Sequence, residues 1–464
     1  MLIVGDAGRN GLPPPAAARM SRQPFSFLAL AQVLTAVWLG IVFMTKIATL
    51  HFSPMIDYQV GEWLVNYSQG FIRRGLAGEI ALRIAAAAGA DAVVLLKLVG
   101  GLSVAVFLWI FVRRVLAAPG LSRNERFGLL FMPAGAAFIL VNPQAILRKD
   151  YVALLAFLAF FSVIERPGKP NLLRAGLALA AAGSVAILIH EVFLLLCIPY
   201  VVLLLWARLA PTTGYGLKTA ARIAAVIAVP VLAAIPVLTI QPPAGTAARI
   251  CEAAQPYAPH LECAPLPDAM TFLDMGQESA FSISYRRLVL TRLWGLPQFL
   301  WWLLAYLPLA WLHYELLWRM LLAHHEPEAR HRAQTAAFGL TLFNVALVCA
   351  MSAVGFDVGR WIFMVTSMAT VCAGSAVSAR SLVGWFSRLP LPAPLAAPPA
   401  MQQRLYITSI LAAGFLSTQF RLPHTCASRL LDLLWFIGDI HDYIHASPPE
   451  TALAWLACLG DACR

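Results

Sequence analysis

At 464 residues, 60% hydrophobic and only 12% charged, the chain lies far from soluble globular proteins, in which about 25% of residues are charged, and this argues against a soluble enzyme. A net charge of +11 would suit nucleic acid, but the basic residues fall in short clusters between apolar runs, the pattern of cytoplasmic loops, so no nucleic-acid partner is expected. The expected fold is all-α, a polytopic transmembrane bundle of about 11 spans, each about 20 apolar residues long, embedded in a lipid bilayer.

Residues 1–24 form a short basic tail with Arg9, Arg19 and Arg22. The first apolar run, 25–44, has no small-residue cleavage pattern and reads as an uncleaved helix with its N-terminus in the cytoplasm. The segment 45–91 is then an outer loop, ending in the Ala-rich stretch Leu76 to Ala88 with Glu79 and Arg83, which is expected to lie along the membrane interface. Spans follow at 92–112, 127–147, 151–164, 175–189, from beyond Glu191 to Arg208, 220–240, 296–320, 334–354, 361–379 and 405–420. A second outer loop covers 241–294, and residues 421–464 form an outer tail. Counted on this topology, the cytoplasmic segments carry 19 of the 34 Lys and Arg and the longer outer segments 14, with Lys97 inside a span. That bias favours the stated orientation.

The stretch 54–79, PMIDYQVGEWLVNYSQGFIRRGLAGE, is polar, aromatic and charged where its neighbours are hydrocarbon-like. It places Asp57, Glu62, Arg73 and Arg74 among Tyr58, Trp63, Tyr67 and Phe71. The topology brings further polar clusters to the same outer side: Arg148, Lys149 and Asp150, then His190 and Glu191, then Asp357 and Arg360. Charge near membrane depth is costly and tends to mark function, although each residue alone is equally an ordinary helix-ending group. Asp57, Glu62, His190 and Glu191 are the candidates for proton transfer, since a His beside a carboxylate can be held in one tautomer and act as a base. Arg73, Arg74, Arg148, Lys149 and Arg360 supply the cations a phosphate needs. Asp150 and Asp357 are their candidate counter-charges, and Tyr67 is a stacking surface for a sugar. No metal-ligand spacing is recognised, although a divalent metal stays open; otherwise no cofactor is expected.

Of the eight cysteines, Cys197, Cys349 and Cys372 fall inside spans and read as small hydrophobes. Cys251, Cys263, Cys426, Cys458 and Cys463 fall outside, on the side where disulfides form if the compartment is oxidising. Cys251 with Cys263 is the most local pairing, but spacing does not fix connectivity.

The order of an N-terminal span, an outer loop with an acidic residue, an interfacial helix and many spans resembles the GT-C class of integral-membrane glycosyltransferases. The NYSQGFIRRGL stretch, with RKD and HE at later span ends, is similar to bacterial membrane proteins of the O-antigen and exopolysaccharide polymerase kind. The resemblance implies transfer of a sugar from a polyprenyl-phosphate-linked donor at the periplasmic face of the bacterial inner membrane, with the C-terminus also periplasmic. It implies that Asp57, with Glu62 second, acts on the acceptor. The adjacent acidic pair of some GT-C families and their large C-terminal soluble domain are absent from this sequence. A transporter or flippase of a lipid-linked glycan, or a non-catalytic scaffold, is the alternative. A transporter should line a path at mid-membrane depth, whereas a transferase should gather its charges at one face.

Overall fold

The computed structural model describes residues 58–391, apart from 133, 142–145, 169, 265, 272, 274–295 and 355–357, together with 33, 34, 37 and 40. The eleventh expected span, the C-terminal tail, Asp57 and Asp357, and all but those four residues of the first expected span, therefore lie outside the described residues. Within them the fold is helical, without strands.

The organising stretch forms a short helix, α1 (Tyr58–Leu64), a loop, and the expected Ala-rich helix, α2 (Leu76–Ala88). Gly89, in the left-handed conformation at φ 64°, ends α2. The long helix α3 (Ala92–Leu116) begins at Asp91, whose side chain accepts from the Val93 backbone N–H at 2.7 Å, and ends with Arg113 and Arg114, cations placed where the helix dipole favours them.

The next expected span, 127–147, is not one helix. It is α4 (Arg123–Phe131) and α5 (Ala136–Val141). Ser122 and Glu125 start α4 with a reciprocal capping box, and Pro133 interrupts the apolar run. At the break the chain turns so tightly that a Cβ on Gly135 would lie 2.3 Å from the Leu129 carbonyl oxygen. Apolar composition alone did not reveal this break.

α6 (Asp150–Ile164), α7 (Leu172–Ile189), α8 (Phe193–Thr213) and α9 (Leu217–Thr239) follow the expected order. α7 and α8 each contain a π-helical turn, at 179–183 and 193–197, flanking the His190–Glu191 hairpin. Beyond α9 come α10 (Thr246–Ala254) and α11 (Asp268–Thr271), then the long helices α12 (Leu296–Leu322) and α13 (Arg330–Val354). The expected span 361–379 is bent: α14 (Val358–Ala373) stops at Gly374, and α15 (Ala376–Phe386) leaves it at 101°.

Five described helices are long and apolar enough to cross a membrane, α3, α7, α8, α9 and the 327–351 stretch containing most of α13; the bent pair α14–α15 makes a sixth if counted as one span. α6, at 15 residues, is about 22 Å long, short of the ~30 Å hydrocarbon core.

Two apolar cores result. The larger is built from α3 to α9 and α12 to α15 around Phe107, Tyr151, Phe157, Tyr200 and Phe363. The smaller caps one end, joining α1, α2, α10 and α11 through Trp63, Leu82, Ile250 and Met270. The Cys251–Cys263 disulfide ties this cap together, with Cα atoms 5.8 Å apart.

Candidate functional site

The seam between the two cores is where the charged residues meet. Leu147 and Ile189 belong to the cap core, whereas Tyr151 and Val192 belong to the larger one. The side chains between them, Arg148, Lys149, Asp150 and His190, are all buried. Nearly continuous hydrophobic sequence on either side forces these few polar residues to find partners there, because a buried charge left alone is very costly.

Glu62, on α1, lies under the cap. Its carboxylate takes Arg74 Nη1 at 2.7 Å and Arg148 Nη1 at 3.4 Å. Arg74 reaches across the seam to Glu191 as well, with Nε 2.9 and 3.0 Å from the two carboxylate oxygens and Nη2 also donating. Asp150, in the first turn of α6, faces Arg360 Nε at 3.2 Å. His190 stands in the middle: Nε2 is 3.6 Å from Asp150 Oδ1 and 3.9 Å from Glu62 Oε1, and Nδ1 is 3.5 Å from Glu191 Oε2. Three carboxylates thus surround one imidazole. His190 has extended backbone, φ −159° and ψ 119°, which breaks the helix and aims the ring inward.

Lys149 is fully buried; its Nζ donates to the Arg74 carbonyl oxygen at 2.9 Å and sits 5.6 Å from the Trp63 ring centroid. Trp63 Nε1 in turn donates to the Leu147 carbonyl oxygen at 2.5 Å. Arg74 itself is the one described non-glycine residue at positive φ, 67°. It occupies the third position of a turn closed by Gly75 N–H to the Ile72 carbonyl at 3.3 Å. A left-handed arginine costs about 1 kcal/mol or more, offset here by its ion pairs.

The electrostatics follow from this crowding. Burial pushes the Glu62 carboxyl up, but Arg74, His190, Arg148 and Lys149 outweigh it and hold it at about 2. Glu191 is likewise held well below the usual range, burial again being outweighed, chiefly by Arg74. Burial lowers the Lys149 ammonium to about 8, with Glu62 opposing. Among the described residues, Arg74, Arg148, Lys149 and Arg360 thus face the carboxylates of Glu62, Asp150 and Glu191 across the seam.

Of the sequence candidates, Glu62, Arg74, Arg148, Lys149, Asp150, His190, Glu191 and Arg360 are brought together. Arg73 is half-buried in the same turn. Tyr67 does not join the ionic cluster through a hydrogen bond: it stacks on Phe71 at 5.4 Å, and its ring lies where a side chain at Gly75 would be. Burial, with Glu79 second, raises its hydroxyl to about 12. Among the described residues, no three His, Cys, Asp or Glu side chains are grouped as metal ligands.

Sequence reasoning passed over Asn66, which is buried and ties the loop to α10. Its amide donates to the Leu64 and Ile250 carbonyls at 3.1 and 3.3 Å and accepts from the Ser68 N–H at 2.9 Å. Its place inside an aromatic run was the available signal. His313 and Glu315, buried within α12, were also passed over; His313 Nε2 lies 3.2 Å from Thr370 Oγ1, and Glu315 accepts from Trp318 Nε1 at 2.7 Å. No family model, no curated protein and no solved structure matches the chain.

Proposed function

We propose that this multi-span membrane protein is a glycosyltransferase or polysaccharide polymerase that takes a sugar from a polyprenyl-phosphate-linked donor at the periplasmic face of a bacterial inner membrane. The observation that carries the reading is the placement of the seam cluster: among the described residues its charged groups sit at helix ends beside a disulfide-tied cap, with several arginines close to carboxylates. A lipid-linked donor keeps its phosphate at the membrane surface, near the ends of spanning helices. Cations aimed there stabilise the leaving group, and a carboxylate beside them can take the acceptor proton.

In this reading Arg74, with Arg73 beside it and Arg360 beneath, receives the donor phosphate, and Asp57, immediately before α1, is the proton acceptor. The acceptor hydroxyl gives its proton to Asp57 as its oxygen attacks C1 of the sugar. The C1–O bond to the lipid phosphate breaks, and its electron pair leaves on the phosphate oxygen. Glu62 is a weak base here, because, against the opposing effect of burial, Arg74, His190, Arg148 and Lys149 hold its carboxyl at about 2.

The test is release of free polyprenyl phosphate from lipid-linked sugars in proteoliposomes. Asp57→Asn should lower the rate by ~10²–10⁴-fold with the protein still folded, and Arg360→Ala should weaken donor binding. Movement of intact donor across the bilayer without cleavage would favour the transporter instead.

A further inference from the structure

The outermost ion pair of the seam raises a question of access. Arg74 and Glu191 have side-chain exposures of 26% and 16%, whereas Glu62, Arg148, Asp150 and Arg360 lie beneath at 7% or less. An anion arriving from outside the cap meets Arg74 first. Yet the Nε and Nη2 fork of that guanidinium already holds both oxygens of Glu191, and Nη1 holds Glu62.

A guanidinium fork binds a carboxylate and a phosphate through the same paired N–H groups. We propose that Glu191 is a built-in competitor, occupying the Arg74 fork in the resting site until the phosphodiester of a polyprenyl-linked donor displaces it. This rests on the donor-site reading given above and adds the regulation of that site. Three features fit. Glu191 lies in a two-residue break between π-distorted helices, a place where a side chain can be released without unwinding a regular helix. His190 Nδ1 lies 3.5 Å from Glu191 Oε2, so Glu191 already has a second polar neighbour besides Arg74. Arg74 keeps its aim when Glu191 leaves, because Glu62 holds Nη1 and Lys149 holds the Arg74 carbonyl. The charged groups around this exchange are Glu62, Arg148, Lys149, Asp150, His190 and Arg360.

The competitor makes a prediction opposite in sign to that of an ordinary binding residue. Purified full-length protein in detergent is titrated by calorimetry with farnesyl methyl phosphodiester, which carries one fixed negative charge, and with inorganic phosphate. Glu191→Gln should bind the phosphodiester at least roughly tenfold tighter than the native chain, since a charge-assisted contact is worth about 1.5–3 kcal/mol. Arg74→Gln should lose that binding. Glu191→Asp, which keeps the charge and shortens the reach, should tighten it less, and it decides the matter if the Gln variant does not fold.

Unchanged or weaker binding in folded Glu191→Gln overturns the competitor and leaves the donor site standing. No binding of the phosphodiester to the native chain or to either Glu191 variant overturns both. Equal tightening of inorganic phosphate and phosphodiester assigns the fork to free phosphate and overturns the lipid-linked ligand.

Discussion

Glu62 shows how much one buried carboxylate is asked to do. It pairs with the buried Arg148 at 3.4 Å, and it fixes one edge of Arg74. Removing one partner of a buried pair typically costs about 3–5 kcal/mol, because the other charge stays behind. Glu62→Gln is therefore expected to lower the thermal midpoint in detergent strongly. Arg83→Ala, which breaks an exposed i,i+4 pair with Glu79, should leave it nearly unchanged. The pH dependence has a definite sign. Glu62 is depressed from 4.5 to about 2, so its stabilisation is present above about pH 4.5 and lost as pH falls toward 2. Midpoints measured at pH 6, 4 and 3 should fall in that order in the native chain and more gently in Glu62→Gln. Lys149 acts in a separate window: its ammonium is lowered to about 8 from 10.5, so stability rises as pH goes from 8 toward 10.5.

At the scale of elements, close backbone approach holds the cap. A Cβ on Gly78, in α2, would lie 2.2 Å from the Val65 carbonyl oxygen and 2.8 Å from that of Trp63, so α2 crosses the chain leaving α1 with no room for a side chain. Gly78→Ala must push α2 off the loop that carries Arg74, and both the cap and the ion network should loosen. Gly101, in α3, has nothing within 4 Å of the added atom, and Gly101→Ala is expected to stabilise by up to about 1 kcal/mol through helix propensity. Thermal midpoints of the two variants, with protease sensitivity of the cap, separate these effects. Most elements were legible from hydrophobic runs and their charged ends: α2 at Leu76–Ala88, α6, the His190–Glu191 hairpin and the long α9 with Pro230 and Pro236. The breaks within the runs at 127–147 and 361–379 were not legible, because a broken or bent helix and a straight one are built from the same apolar residues.

For the whole molecule, the disulfide and a set of arginines mark opposite ends of the bundle. The seam, the cap and the disulfide share one end. Arg113, Arg114, Arg123, Arg126, Arg208 and Arg330 sit in or beside the opposite turns. Closing a loop of 12 residues contributes about 3 kcal/mol in the chain-entropy account, so mild reduction should lower the thermal midpoint by several degrees. In intact cells an impermeant thiol reagent should label Cys263 only after reduction. Labelling that appears only after lysis would place the seam on the cytoplasmic side.

The sequence by itself determined that the chain is a helical membrane protein, where many of its helices run, and which polar residues at helix ends stand out from their apolar surroundings. Hydrocarbon-length runs and loop charge are local properties, imposed by the bilayer and readable residue by residue. It also singled out nearly all the residues of the seam, since charge amid apolar sequence is conspicuous without any structure. Pairing was decided only in three dimensions. Arg74 with Glu191 spans 117 positions and Arg148 with Glu62 spans 86, and nothing in spacing says which of several carboxylates a given guanidinium will meet. Tertiary packing made that choice by bringing two apolar cores together over the same few polar side chains, so that each charge had to take the partner the seam placed beside it.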